Sequence, residues 1–180
     1  MKIETIKYFD VEQSVDENPN LLKSAPIENS KNIKMFERLR HCYEELCQES
    51  NGLPSKSAIK IKDMQKFLDN IILMEIVSKD CPNGSPYFYR VVGTSLRDLF
   101  GEEMSMKCLD DQSFVNMSSH MKNAFQLVES EKAPLFLKGA IAMTMGDDGN
   151  VILPVNTHVL LLPFSNNGET VDHILGAIKY

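Results

Sequence analysis

One stretch limits what this chain can fold into: Tyr87-Phe88-Tyr89-Arg90-Val91-Val92-Gly93-Thr94-Ser95-Leu96-Arg97-Asp98-Leu99-Phe100-Gly101. Its first half is aromatic and β-branched, which suits a pleated strand. Its second half is a short helical turn closed by glycine, and Gly93-Thr94 is the hinge between the two. A strand that feeds straight into a helix over one side of a sheet makes a half-open box. The rest of the chain has to supply more strands and a wall.

Those parts can be read on both sides of it. Residues 32–50 form an amphipathic helix, with Ile33, Phe36, Leu39, Tyr43, Leu46 and Cys47 on one stripe and Lys34, Glu37, Arg38, Glu44 and Glu45 opposite. Asn32 is its expected N-cap and Asn51-Gly52 its stop. Such a helix either lies on its own sheet or docks two subunits, and the two roles are compatible. A short helix is expected at 62–69 and a strand at 73–79. The turn Cys81-Pro82-Asn83-Gly84-Ser85-Pro86 then makes 87–92 the antiparallel partner of that strand.

Residues 102–111 are irregular, with Met104, Met106, Cys108 and Leu109 directed to a dry place. The longest helix, 113–130, carries Phe114, Met117, Met121, Ala124, Phe125 and Val128 on one stripe. Three strands follow at 135–145, 151–164 and 171–180. Gly146-Asp147-Asp148-Gly149-Asn150 and Ser165-Asn166-Asn167-Gly168 are the turns between them. The economical arrangement is α+β: a five-stranded antiparallel sheet with helices on one face and an N-terminal amphipathic helix. Residues 1–31, acidic and poor in large apolar side chains, form a flexible tail ahead of a single domain at 32–180.

A length of 180 residues with 43% hydrophobic side chains is enough for a real core. The net charge of −6, with lysines spread along the chain, speaks against nucleic acid or an anionic membrane as partner. No run reaches the roughly 20 apolar residues of a membrane span. Met1-Lys2-Ile3-Glu4 does not open a signal peptide, so the expected location is the cytoplasm. Cys42, Cys47, Cys81 and Cys108 contain no C-x-x-C pair and are read as four reduced packing thiols, with no metal site.

Chemistry-bearing motifs are scarce. There is no Gly-x-Ser-x-Gly elbow, His-Glu-x-x-His pair or phosphate loop, and Asp110-Asp111 and Asp147-Asp148 read as solvated turn acids. The chain is therefore read as no enzyme. Cys108 lies between Lys107 and Leu109, unlike a flavin-reactive Asn-Cys-Arg motif. His120 falls roughly 80 to 100° off the stripe of its helix, His41 sits among charges, and His158 and His173 lie on strands. Neither flavin nor haem is expected, and the cofactor stays unnamed. Arg90 stands mid-strand, where a charge is costly to bury unpaired. It is read first as an outward arginine paired on the sheet, and otherwise as an anchor for an anionic ligand, joined by Thr94 and Arg97. The expected ligand pocket lies between sheet and long helix, with walls from Leu99, Phe100, Met117, Met121, Phe125, Ile141 and Met143. Arg90 and Thr94 are its polar members.

The element order and the Gly-Thr hinge resemble a PAS domain, and more closely a bacterial family of stand-alone PAS-like proteins found mainly in alphaproteobacteria. The matching pieces are Leu53-Pro54-Ser55-Lys56-Ser57, then Tyr89-Arg90-Val91-Val92-Gly93-Thr94 with Gly101. Leu161-Leu162-Pro163-Phe164-Ser165 and Val171-Asp172-His173-Ile174-Leu175-Gly176 complete them. Two departures stand out. The family's tryptophan in the first helix is absent, leaving Phe36 or Tyr43 to pack in its place, and Lys56 stands where the family favours arginine. The resemblance implies sensing or scaffolding without catalysis, with a small molecule or a protein partner as input. It leaves open a ligand-free homodimeric interaction module, and behind that a small enzyme on a related fold.

Overall fold

A computed structural model describes residues 22–24, 29–30, 33–77, 81, 86–100, 103–109, 115–145 and 151–180, with the backbone alone for 22–24, 98, 100, 115–120, 140–145 and 151–155. The elements are β1 (Leu22–Ser24), α1 (Lys34–Ser50), α2 (Ile61–Met64), β2 (Ile71–Ile76), β3 (Tyr87–Val92), α3 (Thr94–Phe100), α4 (Val115–Glu131), β4 (Leu135–Met145), β5 (Val151–Phe164) and β6 (His173–Lys179). Short 3₁₀ turns at Lys56–Ala58 and Gln65–Asn70 link α1 and α2 to β2. No helix among the described residues is long and apolar enough to cross a membrane.

The strands form one antiparallel sheet in the order β1-β4-β5-β6-β2-β3. The five-stranded antiparallel sheet expected from the sequence is therefore present, and β1 adds a short sixth strand. Within the stretch read as a tail, Leu22, Lys23 and Ser24 pair with Gly139, Lys138 and Leu137 of β4. Within it Asn29 and Ser30 are also described, with Ser30 buried; residues 1–21, 25–28 and 31–32, the turn at 82–85, Gly101, Asp110-Asp111 and the turn at 146–150 lie outside the described residues.

Side chains on successive residues of a strand point to opposite faces, and here both faces are covered. On the inner face, Ile72, Met74, Tyr87, Tyr89, Val159, Leu161 and Ile174 pack with Leu96, Leu99, Met121, Phe125 and Val128 from α3 and α4. On the outer face, Ile71, Phe136, Leu160, Leu162, Phe164 and Leu175 pack with Met35, Phe36, Leu39 and Tyr43 of α1. Edge-to-face ring contacts, Phe36 on Phe136 and Tyr43 on Phe164, seat the helix. This double cover explains why Val159-Leu160-Leu161-Leu162 is continuously apolar instead of alternating. Helix α1 thus lies on its own sheet, one of the two roles its stripe allowed. It starts after Ile33, which offers no side-chain cap, and it ends at Asn51 in the left-handed conformation.

Gly93 is fixed by space. A Cβ there would stand 2.3 Å from the carbonyl oxygens of Leu68 and Asp69, so only glycine lets the β3–α3 hinge approach that backbone. Its N–H donates to the Ile71 carbonyl at 2.8 Å, and the Thr94 hydroxyl donates to Asp69 Oδ1 at 2.7 Å.

The expectation of four free thiols is corrected: Cys81 and Cys108 form a disulfide, while Cys42 and Cys47 are free. The two cysteines are 27 positions apart, with 5.8 Å between their Cα atoms. The segment at 104–108 folds back along β3, where Cys108 bridges to Phe88, and the chain ahead of β3 carries Cys81 to the same place. No spacing rule reaches across such a return.

Candidate functional site

Leu99, Met121 and Phe125 all lie inside the inner cluster, with the Phe125 ring 5.3 Å from that of Tyr87. Above them the Tyr87 hydroxyl donates to Glu129 of α4 at 3.0 Å. Burial, reinforced by that carboxylate, pushes the phenol well above its ordinary range. The side chains of Phe100, Met117, Ile141 and Met143 lie outside the described residues; their backbones stand in α3, α4 and β4. Arg90 and Thr94 stand apart from this group. Thr94 is exposed at the start of α3, and Arg90 is on the outer face, stacked 4.7 Å over the Phe88 ring and paired with Glu75. The hydrogen bond from Arg90 holds the Glu75 carboxyl below the usual carboxylate range.

A polar junction that the sequence did not disclose lies beside that pair. His173 is 3% exposed and sits opposite Glu75 across the β2–β6 pairing. Lys56 Nζ donates to its Nε2 at 2.9 Å, and its Nδ1 donates to Asp172 Oδ1 at 2.6 Å. An ammonium has only donors, so this pattern requires the neutral ring with its proton on Nδ1. The other Asp172 oxygen accepts from the Asn166 N–H at 2.8 Å, and Ser165 N–H donates to the Pro54 carbonyl at 2.9 Å. Three motif stretches far apart in sequence thereby meet at one point: 53–57, 161–165 and 171–176.

Next to this junction, a cleft of about 80 Å³ opens between α1, the chain at 58–64 and the sheet. Leu39, Tyr43, Met64, Leu162 and Phe164 line its floor, and Glu45, Glu49 and Asp63 stand at its rim. Small-molecule sites are typically about 300–1,000 Å³, so this cleft has room for a side chain more than for a cofactor. Cys42 lines it and Cys47 is nearby, and burial pushes both thiols up, away from reactivity. Among the described residues no three His, Cys, Asp or Glu side chains cluster as metal ligands.

A family model described as PAS domain matches residues 34–179. No curated protein matches the chain. Among solved structures it is similar to the PAS domain from Bordetella pertussis BvgS, at 12% identity over 66% of this chain and 83% of that one, with a TM-score of 0.46. The family match runs from the first turn of α1 to the end of β6 and takes in both sheet faces and the junction. The chain belongs to the PAS domain family, whose members are sensory and regulatory modules and are generally non-catalytic.

Proposed function

We propose that this PAS domain is a non-enzymatic cytoplasmic sensory module that takes a small molecule or a protein partner as input and signals through protein–protein contact. The proposed input site is the space between sheet and α4, walled by Leu99, Phe100, Met117, Met121, Phe125, Ile141 and Met143. The proposed output surface is α1 with the outer sheet face. Neither haem nor flavin is part of the proposal.

The observation that carries this reading is the packing of β5. Val159 and Leu161 belong to the inner cluster, while Leu160, Leu162 and Phe164 belong to the cluster under α1. One layer of backbone separates input from output. Interiors are close-packed, so a ligand that spreads the inner side chains moves the strand and with it the seat of α1. The signal is then a shift between two populations of α1 position.

Native mass spectrometry beside a denatured control and an absorption spectrum tests the input. The expected result is a mass excess that denaturation removes and that Met121→Ala or Phe125→Ala diminishes, with altered amide exchange over residues 34–50 in the emptied protein. No mass excess together with unchanged exchange in α1 would overturn the reading. One observation favours a second reading, a ligand-free homodimeric interaction module: the described part of the inner face is filled by the protein's own side chains, with Tyr87, Phe125 and Leu161 at 0% exposure. A dimer as main species without mass excess is the result expected for it.

A further inference from the structure

The segment at 103–109 runs as a strap along the outer edge of β3. Tyr89 N–H donates to the Lys107 carbonyl at 2.9 Å, Met106 N–H donates to the Tyr89 carbonyl at 2.7 Å, and Val92 N–H donates to Ser105 Oγ at 3.2 Å. Met104 and Leu109 are buried at its two ends, but Met106 between them is 61% exposed and adopts φ +63°, a left-handed conformation unfavourable for a side chain of its size. A surface ion pair, Arg97 to Glu103 at 3.5 Å, adds little. The covalent hold is the Cys81–Cys108 bond. Two further cysteines, Cys42 and Cys47, remain thiols in the same molecule. A single disulfide beside two free thiols is unlike the dense cross-linking of a disulfide scaffold, and a dithiol can open such a bond by exchange.

We propose that Cys81 and Cys108 form a thiol–disulfide exchange site, reduced by a dithiol, whose state decides whether the 103–109 strap stays on the β3 edge. Cys81, the less buried residue of the pair at 9% exposure against 3% for Cys108, is the end assigned to an incoming thiolate. Attack forms a mixed disulfide on Cys81 as the Cys81–Cys108 bond breaks, and Cys108 leaves as a thiolate and takes a proton. The second thiol of the reductant then displaces Cys81, which is protonated in turn. The protein gains two electrons and two protons, and the dithiol leaves as its cyclic disulfide. The strap then loses its covalent hold and rests on non-covalent contacts, against the unfavourable conformation at Met106.

The test uses the full chain with dithiothreitol as reductant. Alkylation after unfolding is expected to label two cysteines in the oxidised protein and four after native-state reduction. Site-resolved amide exchange at Tyr89 and Met106 should rise by roughly tenfold or more on reduction, with β5 and β6 amides unchanged. The double variant Cys81→Ser/Cys108→Ser should match the reduced wild type; if it fails to fold, the reduced and alkylated wild type supplies the same readout. Failure of the native protein to gain two thiols would overturn the exchange site. Unchanged protection at Tyr89 and Met106 after reduction would overturn the strap's release and leave the disulfide a plain staple.

Discussion

At the scale of single residues, two positions carry clear consequences. Glu75 has its folded carboxyl held below the ordinary value of 4.5 by the hydrogen bond from Arg90. A lowered folded value means that this stability is fully present above about pH 4.5 and is lost as pH falls through the folded value, because the unfolded chain binds the proton first. Surface pairs of this kind are worth roughly 0.2–1 kcal/mol. Denaturant titrations of wild type and Glu75→Gln should therefore differ by that amount near neutrality and converge in acid. A gap that persists in acid would mean the pair is not its source. Gly93→Ala drives a methyl into two carbonyl oxygens at 2.3 Å. It should cost about 3 kcal/mol or more, since backbone has no rotamer through which to yield. A urea midpoint unchanged by that substitution would show that the hinge has slack.

At the scale of elements, α1 is the part whose role was left open and then fixed by packing. Phe36 is fully buried against Phe136, so Phe36→Ala should destabilise the protein by about 3–5 kcal/mol, whereas Glu37→Ala, on the exposed side, should change the unfolding free energy by less than about 0.5 kcal/mol. Equal effects would mean that the helix is not seated as described. The elements themselves were legible because their signals are local. The stripe of α1, the Gly93-Thr94 hinge and the strand at 87–92 each follow from side-chain period and turn chemistry within a few residues. The strap at 103–109 and β1 were not legible. A three-residue strand in a polar stretch has too little period to detect, and the strap pairs with β3 through one bridge and a few hydrogen bonds. The candidate site was legible in its apolar cluster, where Met121 and Phe125 follow from the stripe of α4 and Leu99 from the short helix after the hinge. It was illegible where it is polar. Lys56 and His173 stand 117 positions apart, and neither has a neighbour in sequence that announces the other.

At the scale of the whole molecule, the two clusters are one mechanical body, because β5 and β6 contribute to both. Unfolding should accordingly be a single transition, with tyrosine near-ultraviolet circular dichroism and far-ultraviolet circular dichroism giving coincident curves. Separated curves would mean that α1 can leave the sheet while the inner face stays folded. Such a separation would also weaken the proposed coupling of the two faces. The ends of the sheet have a further consequence. β1 runs along β4 on one side, and residues 104–108 run along β3 on the other. Each border is hemmed by a strip of the chain itself, too short to act as a full strand yet long enough to occupy hydrogen-bonding groups of the strand beside it. A sheet finished in this way resists growth by accretion of further strands, so crowding many copies together should favour discrete contacts between faces over fibres.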